Sequence, residues 1–400
     1  MFTQMNQLNY MQNFKATLLL LCSIFLNTDI YTPLYAKDLL IGASVALSGK
    51  YARTGQEQLH GLQMWVEEVN QRGGLLNRKV VLRYYDDESR PETGAKLYEK
   101  LITDDKVELL VGPYSSAVTM AASTVAERHN IPMISAGASA SEIWQRGFKN
   151  IFGLYTPANT YMDQILEFAK TKGLRRIALI YANTEFPRDV ANGVRSKAKS
   201  LGLKIVFSEE YSKASTDFSS MIIKMKRRRP DMVIGGSYLP DSIAFMRQAK
   251  EYYLKAKLFA FAVGPGLPDF GTNLGKDANG VMGNTQWEPT LTMPGVKKFA
   301  AKYKAKYGIE AAYHAAGGYG SGQVLEAAIQ TSGSTSGNKV RAALHQLDIT
   351  TTFGRFKVDA TGKQVGKPGY TIQWIDGVRH LILPTKIATK APLYPFPAHR

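Results

Sequence analysis

Along this chain, short apolar runs alternate with longer segments whose apolar residues recur every three or four positions. Asp38–Val45 and Val80–Tyr84 read as strands. Between them, Leu59, Leu62, Val66 and Val69 fall on one helical face, which Gly73-Gly74 ends. Ser48–Gln56 reads as a polar loop before that helix. Pro91 opens a further helix through Leu97, Leu101 and Ile102. Val107–Val111 is a strand bounded by charge before it and by Gly112-Pro113 after it, and Ile131–Ser135 is another. A helix lies between these two, with Ala121, Ala122, Val125 and Ala126 on one face.

After Thr156-Pro157 the alternation restarts. Helices over Asn159–Lys170, Pro187–Leu201, Asp217–Arg228 and Asp241–Tyr252 interleave with strands over Arg176–Tyr181, Lys204–Glu209, Asp231–Ile234 and Lys257–Ala262. Such alternation predicts an α/β fold of doubly wound parallel sheets, and the restart predicts two lobes. Gly264–Gly275 reads as a loop, and Pro294–Tyr307, Tyr319–Gln330 and Asn338–Leu347 as helices. Apolar residues on either side of Asp376-Gly377 predict a β-hairpin over Gln373–Leu381. Ala391–Arg400, with three prolines, reads as an unstructured end.

Two strand ends carry the candidate chemistry. Tyr114-Ser115-Ser116 stands at the first turn of a helix, where free N–H groups hold an anion without help from Arg or Lys. Ile131–Ser135 empties into Ala136–Ser141, again small and hydroxyl-bearing. Together they form a candidate polar floor at the carboxyl ends of strands, where open α/β sheets bind ligands. The same serines also suit plain helix caps.

Composition narrows the classes. Apolar content of 44% and charge of 21% are ordinary for a globular chain, but a net charge of +17 is not. The densest basic run, Lys224–Arg229, ends a predicted helix, where cations suit the dipole, and no nucleic-acid motif accompanies it. Lys15, the apolar run Ala16–Leu26 and Leu34-Tyr35-Ala36 look like a secretory signal cleaved after Ala36, too short to span a membrane. Cys22 is the only cysteine and lies inside that run. A lipoprotein reading would make Cys22 the acylated residue, but Leu21 before it is larger than lipoprotein signals usually accept, which favours the secretory reading. Cleavage at Ala36 leaves a chain without thiol chemistry. There is no Gly-x-Ser-x-Gly elbow, no phosphate loop and no metal-ligand pair, and the six His are scattered. Gly318–Gly322 lacks the preceding strand of a dinucleotide site and reads as close helix packing.

The ordered series Ile41–Gly49, Gly55, Gly61, Asn70, Gly73-Gly74-Leu75, Tyr85-Asp86-Asp87, Gly112-Pro113, Ile134-Ser135 and Arg146-Gly147 resembles periplasmic solute-binding proteins of ABC transporters. The branch is the leucine/isoleucine/valine-binding type, and the likeness spans Asp38 to Leu383. It implies two lobes joined by three crossings near Leu154–Pro157, Asn284–Glu288 and Thr352–Arg355. Hinge closure on ligand is a known property of periplasmic binding proteins. The expected division is a signal at 1–36, one lobe from 37–156 with 287–353, the other from 157–286 with 354–390, and a tail at 391–400. By resemblance, Ser116 with Ser115 and Tyr114, then Gly137, Ala138 and Ser139, hold the ligand, and Thr54 covers it. Phe186 and Tyr238 face it from the second lobe, while Trp287 lines the pocket or anchors the hinge, and His314 stands where the family often has an aromatic.

Amino-acid binders of this type carry an acid near the position of Ala262 to pair with the ligand ammonium, and a buried ammonium without a partner is costly. Glu185, Asp241 and Glu288 are the possible substitutes. The expected protein is a periplasmic, non-enzymatic, monomeric receptor. It captures a small carboxylate-bearing solute, a branched-chain or other amino acid, and passes it to a membrane permease, with no cofactor and no nucleic acid. Aromatic carboxylates, amides and urea remain alternatives, as does a ligand-sensing receptor on the same fold.

Overall fold

A computed structural model describes residues 36–397. The proposed signal segment, its cleavage site apart, and Cys22 lie outside the described residues; Ala36 opens the first strand.

The first lobe is built on a five-stranded sheet of order β2-β1-β3-β4-β5, made from β1 (Ala36–Val45), β2 (Arg78–Asp86), β3 (Leu109–Val111), β4 (Met133–Ser135) and β5 (Ile151–Gly153). β1, β3, β4 and β5 pair in parallel. The three short strands are buried along their whole length, as expected for parallel strands covered on both faces. Helices α1 (Ala52–Gln71), α2 (Pro91–Thr103) and α3 (Ser116–Arg128) connect them.

The second lobe carries a seven-stranded sheet of order β14-β13-β10-β9-β8-β6-β7. Helices α4 (Asp163–Thr171), α5 (Glu185–Leu201), α6 (Ser219–Arg227) and α7 (Leu239–Glu251) alternate with β6 (Arg176–Ala182), β7 (Lys204–Tyr211), β8 (Met232–Gly236) and β9 (Leu258–Phe261). The segment read as a loop after β9 holds a short helix, α8 (Pro268–Leu274), which Pro268 starts. β10 (Met282–Thr285) extends the parallel set. The chain then returns to the first lobe through α9 (Val296–Tyr307), α10 (Tyr313–Ser332) and α11 (Gly337–Gln346).

Close packing of α10 on α1 explains the glycine run. A Cβ on Gly61 would meet the Ala315 carbonyl oxygen at 1.9 Å, and one on Gly318 the Gln58 oxygen at 2.1 Å. The hairpin forms as its turn residues predict: β13 (Tyr370–Ile375) and β14 (Val378–Leu383) flank Asp376 and Gly377, both at positive φ.

The chain leaves the first sheet after β5 and leaves the second after β10. It does not pass between them at Thr352–Arg355: Thr352 and Phe353 form the turn between β11 (Ile349–Thr351) and β12 (Gly354–Phe356). The following stretch stays on the first lobe: Gly153 N donates to the Gly362 oxygen at 2.8 Å and Gln364 Nε2 to the Leu154 oxygen at 3.2 Å. The passage to β13 therefore falls at Lys367–Gly369, and 354–366 belongs with the first lobe rather than the second. The tail is also ordered as far as residue 397. Gln373 exchanges two hydrogen bonds of 2.8 Å with Leu393, and the Phe396 ring is buried against Phe259.

Candidate functional site

The carboxyl ends of β3 and β4 face those of β6, β8 and β9 across a crevice between the lobes. Tyr114, Ser115, Ser116, Gly137, Tyr155, Tyr313 and His314 line it from the first lobe, and Tyr161, Phe186, Tyr238 and Val263 from the second. The rings nearly fill it: about 10 Å³ is open to the centre of a water molecule, room for about one water.

Its floor is two strand-to-helix loops clipped together. Ser115 caps α3, its hydroxyl oxygen accepting from Val118 N at 3.3 Å. The Ser116 hydroxyl oxygen accepts from Ser139 N at 3.3 Å and Ala140 N at 3.2 Å. Gly137 allows this approach, because a Cβ there would lie 2.7 Å from the Tyr114 oxygen. The cap reading of Ser115 is therefore realised, while Ser116 ties the second loop to the first. The opening N–H groups of α3, at Ser116 and Ala117, have no acceptor within the helix.

Above the floor stands an aromatic box. Tyr238 lies 4.6 Å from Tyr51 and 5.4 Å from Phe186, centroid to centroid, and Phe186 lies 5.5 Å from Tyr161. Tyr114 contacts Tyr51 at 5.6 Å and the His314 ring at 5.2 Å. Burial pushes the phenols of Tyr114, Tyr155, Tyr161, Tyr238 and Tyr313 up and that of Tyr51 to about 12, so all stay neutral. His314 is held well below its ordinary value, first by burial and then by Arg53, so its imidazole is neutral too.

Seven residues singled out in the sequence thus line the crevice: Tyr114, Ser115, Ser116, Gly137, Phe186, Tyr238 and His314. Four stand elsewhere. Thr54 lies behind Tyr114 and donates to the Tyr51 carbonyl at 2.8 Å. Ala138 is buried in the loop, its carbonyl accepting from Ser135. Ser139 supports the wall from outside, its hydroxyl oxygen accepting from the Tyr161 phenol at 3.1 Å. Trp287 is wholly buried against Phe299 and does not line the crevice. Sequence reasoning missed Tyr51, Tyr155, Tyr161, Val263 and Tyr313. The available signal was position alone: Tyr155 precedes the Thr156-Pro157 boundary, and Tyr313 adjoins His314.

No carboxylate lines the crevice among the described residues. Ala262 is buried in the core, and Val263 beside it faces the crevice. Asp241 is engaged by the Tyr211 phenol at 2.7 Å, by Tyr238 N and by Lys50. Glu288 is bound by Arg379 at 3.1 Å. Glu288 and Glu185 each have one buried carboxylate oxygen with no hydrogen-bond partner, but Glu288 has Arg379 beside it, whereas among the described residues Glu185 has no ion-pair partner and lies close enough to Tyr51 to raise its phenol. The lobes are held together by Arg53 of α1 on Asp269 of α8, and by Ser141, whose N–H and hydroxyl both donate to Asp189 at 2.9 Å.

The chain matches the family described as "Periplasmic binding protein" over residues 39–378. It is 28% identical over 371 residues to Leu/Ile/Val-binding protein homolog 7 of Brucella abortus, covering 88% of this chain and 92% of that one. Its fold resembles a leucine-binding protein, LivK, of Thermotoga maritima, with a TM-score of 0.80 at 22% identity over 86% of this chain and 97% of that one. It also resembles a solute-binding protein of R. palustris solved with benzoate, with a TM-score of 0.77 at 21% identity over 86% and 95%.

Proposed function

The chain belongs to the periplasmic binding protein family, and we propose that it is the substrate-binding component of an ABC transporter for a small carboxylate with an apolar, ring-sized body. The family implies a periplasmic location and a binding protein rather than an enzyme. The observation that carries the ligand class is the asymmetry of the crevice. One side offers the opening N–H groups of α3 beside Ser115 and Ser116, suited to a carboxylate. The rest is aromatic and neutral, without an acid for an ammonium. Entry requires the lobes to part, which separates Phe186, Tyr238 and Val263 from Tyr114 and His314. Closure then brings both sets onto the ligand, and this differential contact drives it.

One observation favours a second reading. The unpartnered buried oxygen of Glu185, next to Phe186, is a candidate partner for an ammonium, which makes an α-amino acid such as leucine the alternative ligand.

A thermal-shift screen separates them. Benzoate-type carboxylates are expected to raise the melting temperature by about 3 °C or more at a hundredfold excess over Kd, with the matching amides inert. A response to leucine or isoleucine that Glu185→Gln abolishes establishes the second reading instead. A response to neutral solutes alone overturns the carboxylate assignment.

A further inference from the structure

The end of the second lobe opposite the crevice gathers the cations. In its sheet β6, β7, β8, β9 and β10 run parallel, so the helix ends that lead into them emerge on one side. The hydrogen bonds confirm this. Arg176 Nε donates to the Arg229 oxygen at 3.0 Å, Lys204 N to the Arg175 oxygen at 2.8 Å and Lys257 N to the Asp231 oxygen at 2.7 Å. Arg175, Lys204, Arg227, Arg229, Lys255 and Lys257 are all exposed there. Among the described residues none of the six has a carboxylate partner. Asp231, which borders the groove, is taken up by the N–H groups of Arg175 and Arg176.

One further observation sets this face apart from ordinary solvated helix ends. Tyr253 is 71% exposed and borders an apolar groove formed with Pro230, Leu254, Ala256 and Phe396. A cationic face with an amphipathic aromatic and a shallow apolar groove has the chemistry of a surface that meets phospholipid headgroups.

We propose that this face of the second lobe docks on an anionic phospholipid surface, concentrating the protein at the membrane through a site separate from the crevice.

Flotation of the full chain with vesicles tests this. Neutral phosphatidylcholine vesicles supply the baseline, including any binding by the apolar segment Ala16–Leu26. Vesicles carrying about one-third phosphatidylglycerol are expected to bind more, and the gain is expected to vanish in about 0.5 M salt. The variant Arg227→Ser/Arg229→Ser/Lys255→Ser/Lys257→Ser is expected to lose about a hundredfold or more of that gain. A control, Lys297→Ser/Lys304→Ser/Lys339→Ser/Lys79→Ser, removes four cations of the first lobe and is expected to keep it. Thermal unfolding followed by circular dichroism, with midpoints matching the unmodified chain, reports that both variants are folded. No gain with phosphatidylglycerol, or equal losses in the two variants, overturns the proposal. So does binding to soluble polyphosphate without binding to vesicles, which would make the partner a free polyanion.

Discussion

Arg53 and Asp269 lie 216 residues apart in sequence and meet as an ion pair, the guanidinium Nε donating to both carboxylate oxygens at 3.0 and 2.9 Å. One stands on α1 of the first lobe and the other on α8 of the second, so the pair exists only when the lobes are together. Both side chains are about one-third exposed, at 32% and 30%, which limits the pair to about 0.5–1 kcal/mol. Asp269→Asn is therefore expected to speed ligand release by about two- to fivefold with little change in the association rate. Stopped-flow dissociation measures it, and an unchanged release rate would mean that the pair does not hold the closed form.

Ser116→Ala removes the acceptor for two buried backbone N–H groups, Ser139 and Ala140. Leaving them unmade is expected to weaken ligand binding by at least about 1 kcal/mol and to lower thermal stability as well. Calorimetric titration with the ligand found in the screen checks the first effect. Unchanged affinity would remove Ser116 from the site.

Glu57 gives a pH dependence with a definite sign. Burial raises its carboxyl to about 7 from an ordinary 4.5, against the opposing pull of Arg53 at 2.7 Å, while Asp269 adds to the rise and Arg379 opposes it. The His314 ring, 4.0 Å away, is neutral and adds no charge. A carboxyl raised in the folded state contributes stability that is present below pH 4.5 and lost as pH climbs through 7, on the order of 3 kcal/mol. Relative to wild type, Glu57→Gln is therefore expected to gain melting temperature steadily between pH 5 and pH 8. Parallel melting curves across that range would show that Glu57 does not titrate there.

Gly318→Ala places a methyl 2.1 Å from the Gln58 carbonyl oxygen on α1. Backbone cannot yield as a flexible side chain does, so a loss of at least about 2 kcal/mol is expected. Denaturant unfolding measures it; a neutral result would show that α10 can slide on α1 without cost.

The order of elements was legible because it rests on short-range chemistry. Apolar spacing within a few residues, Pro91 at a helix start and Asp376-Gly377 at a turn each act locally, and the structure has all three. Where the sequence misled, a distant partner decided. The tail looked unstructured from its prolines, yet Phe396 finds a slot against Phe259. Asp241 offered itself as a counter-ion, yet it is bound by Tyr211. The third crossing moved because Gly362 pairs along the edge of β5.

The site divides in the same way. Its floor was readable, since a hydroxyl pair after an apolar strand is a local pattern, and Ser115 and Ser116 stand where that pattern put them. Its walls were not. Tyr51, Tyr155, Tyr161 and Tyr313 carry no periodic mark that separates a crevice ring from a core ring. Packing of distant segments within the first lobe brings Tyr114 to His314, and the facing of the two sheets brings Tyr51 to Tyr238. The sequence determined which segments become strands and helices, because hydrogen bonding and burial period act over one or two turns. Tertiary structure decided which rings meet and which carboxylate stays unpaired, because those contacts depend on the relative placement of whole lobes.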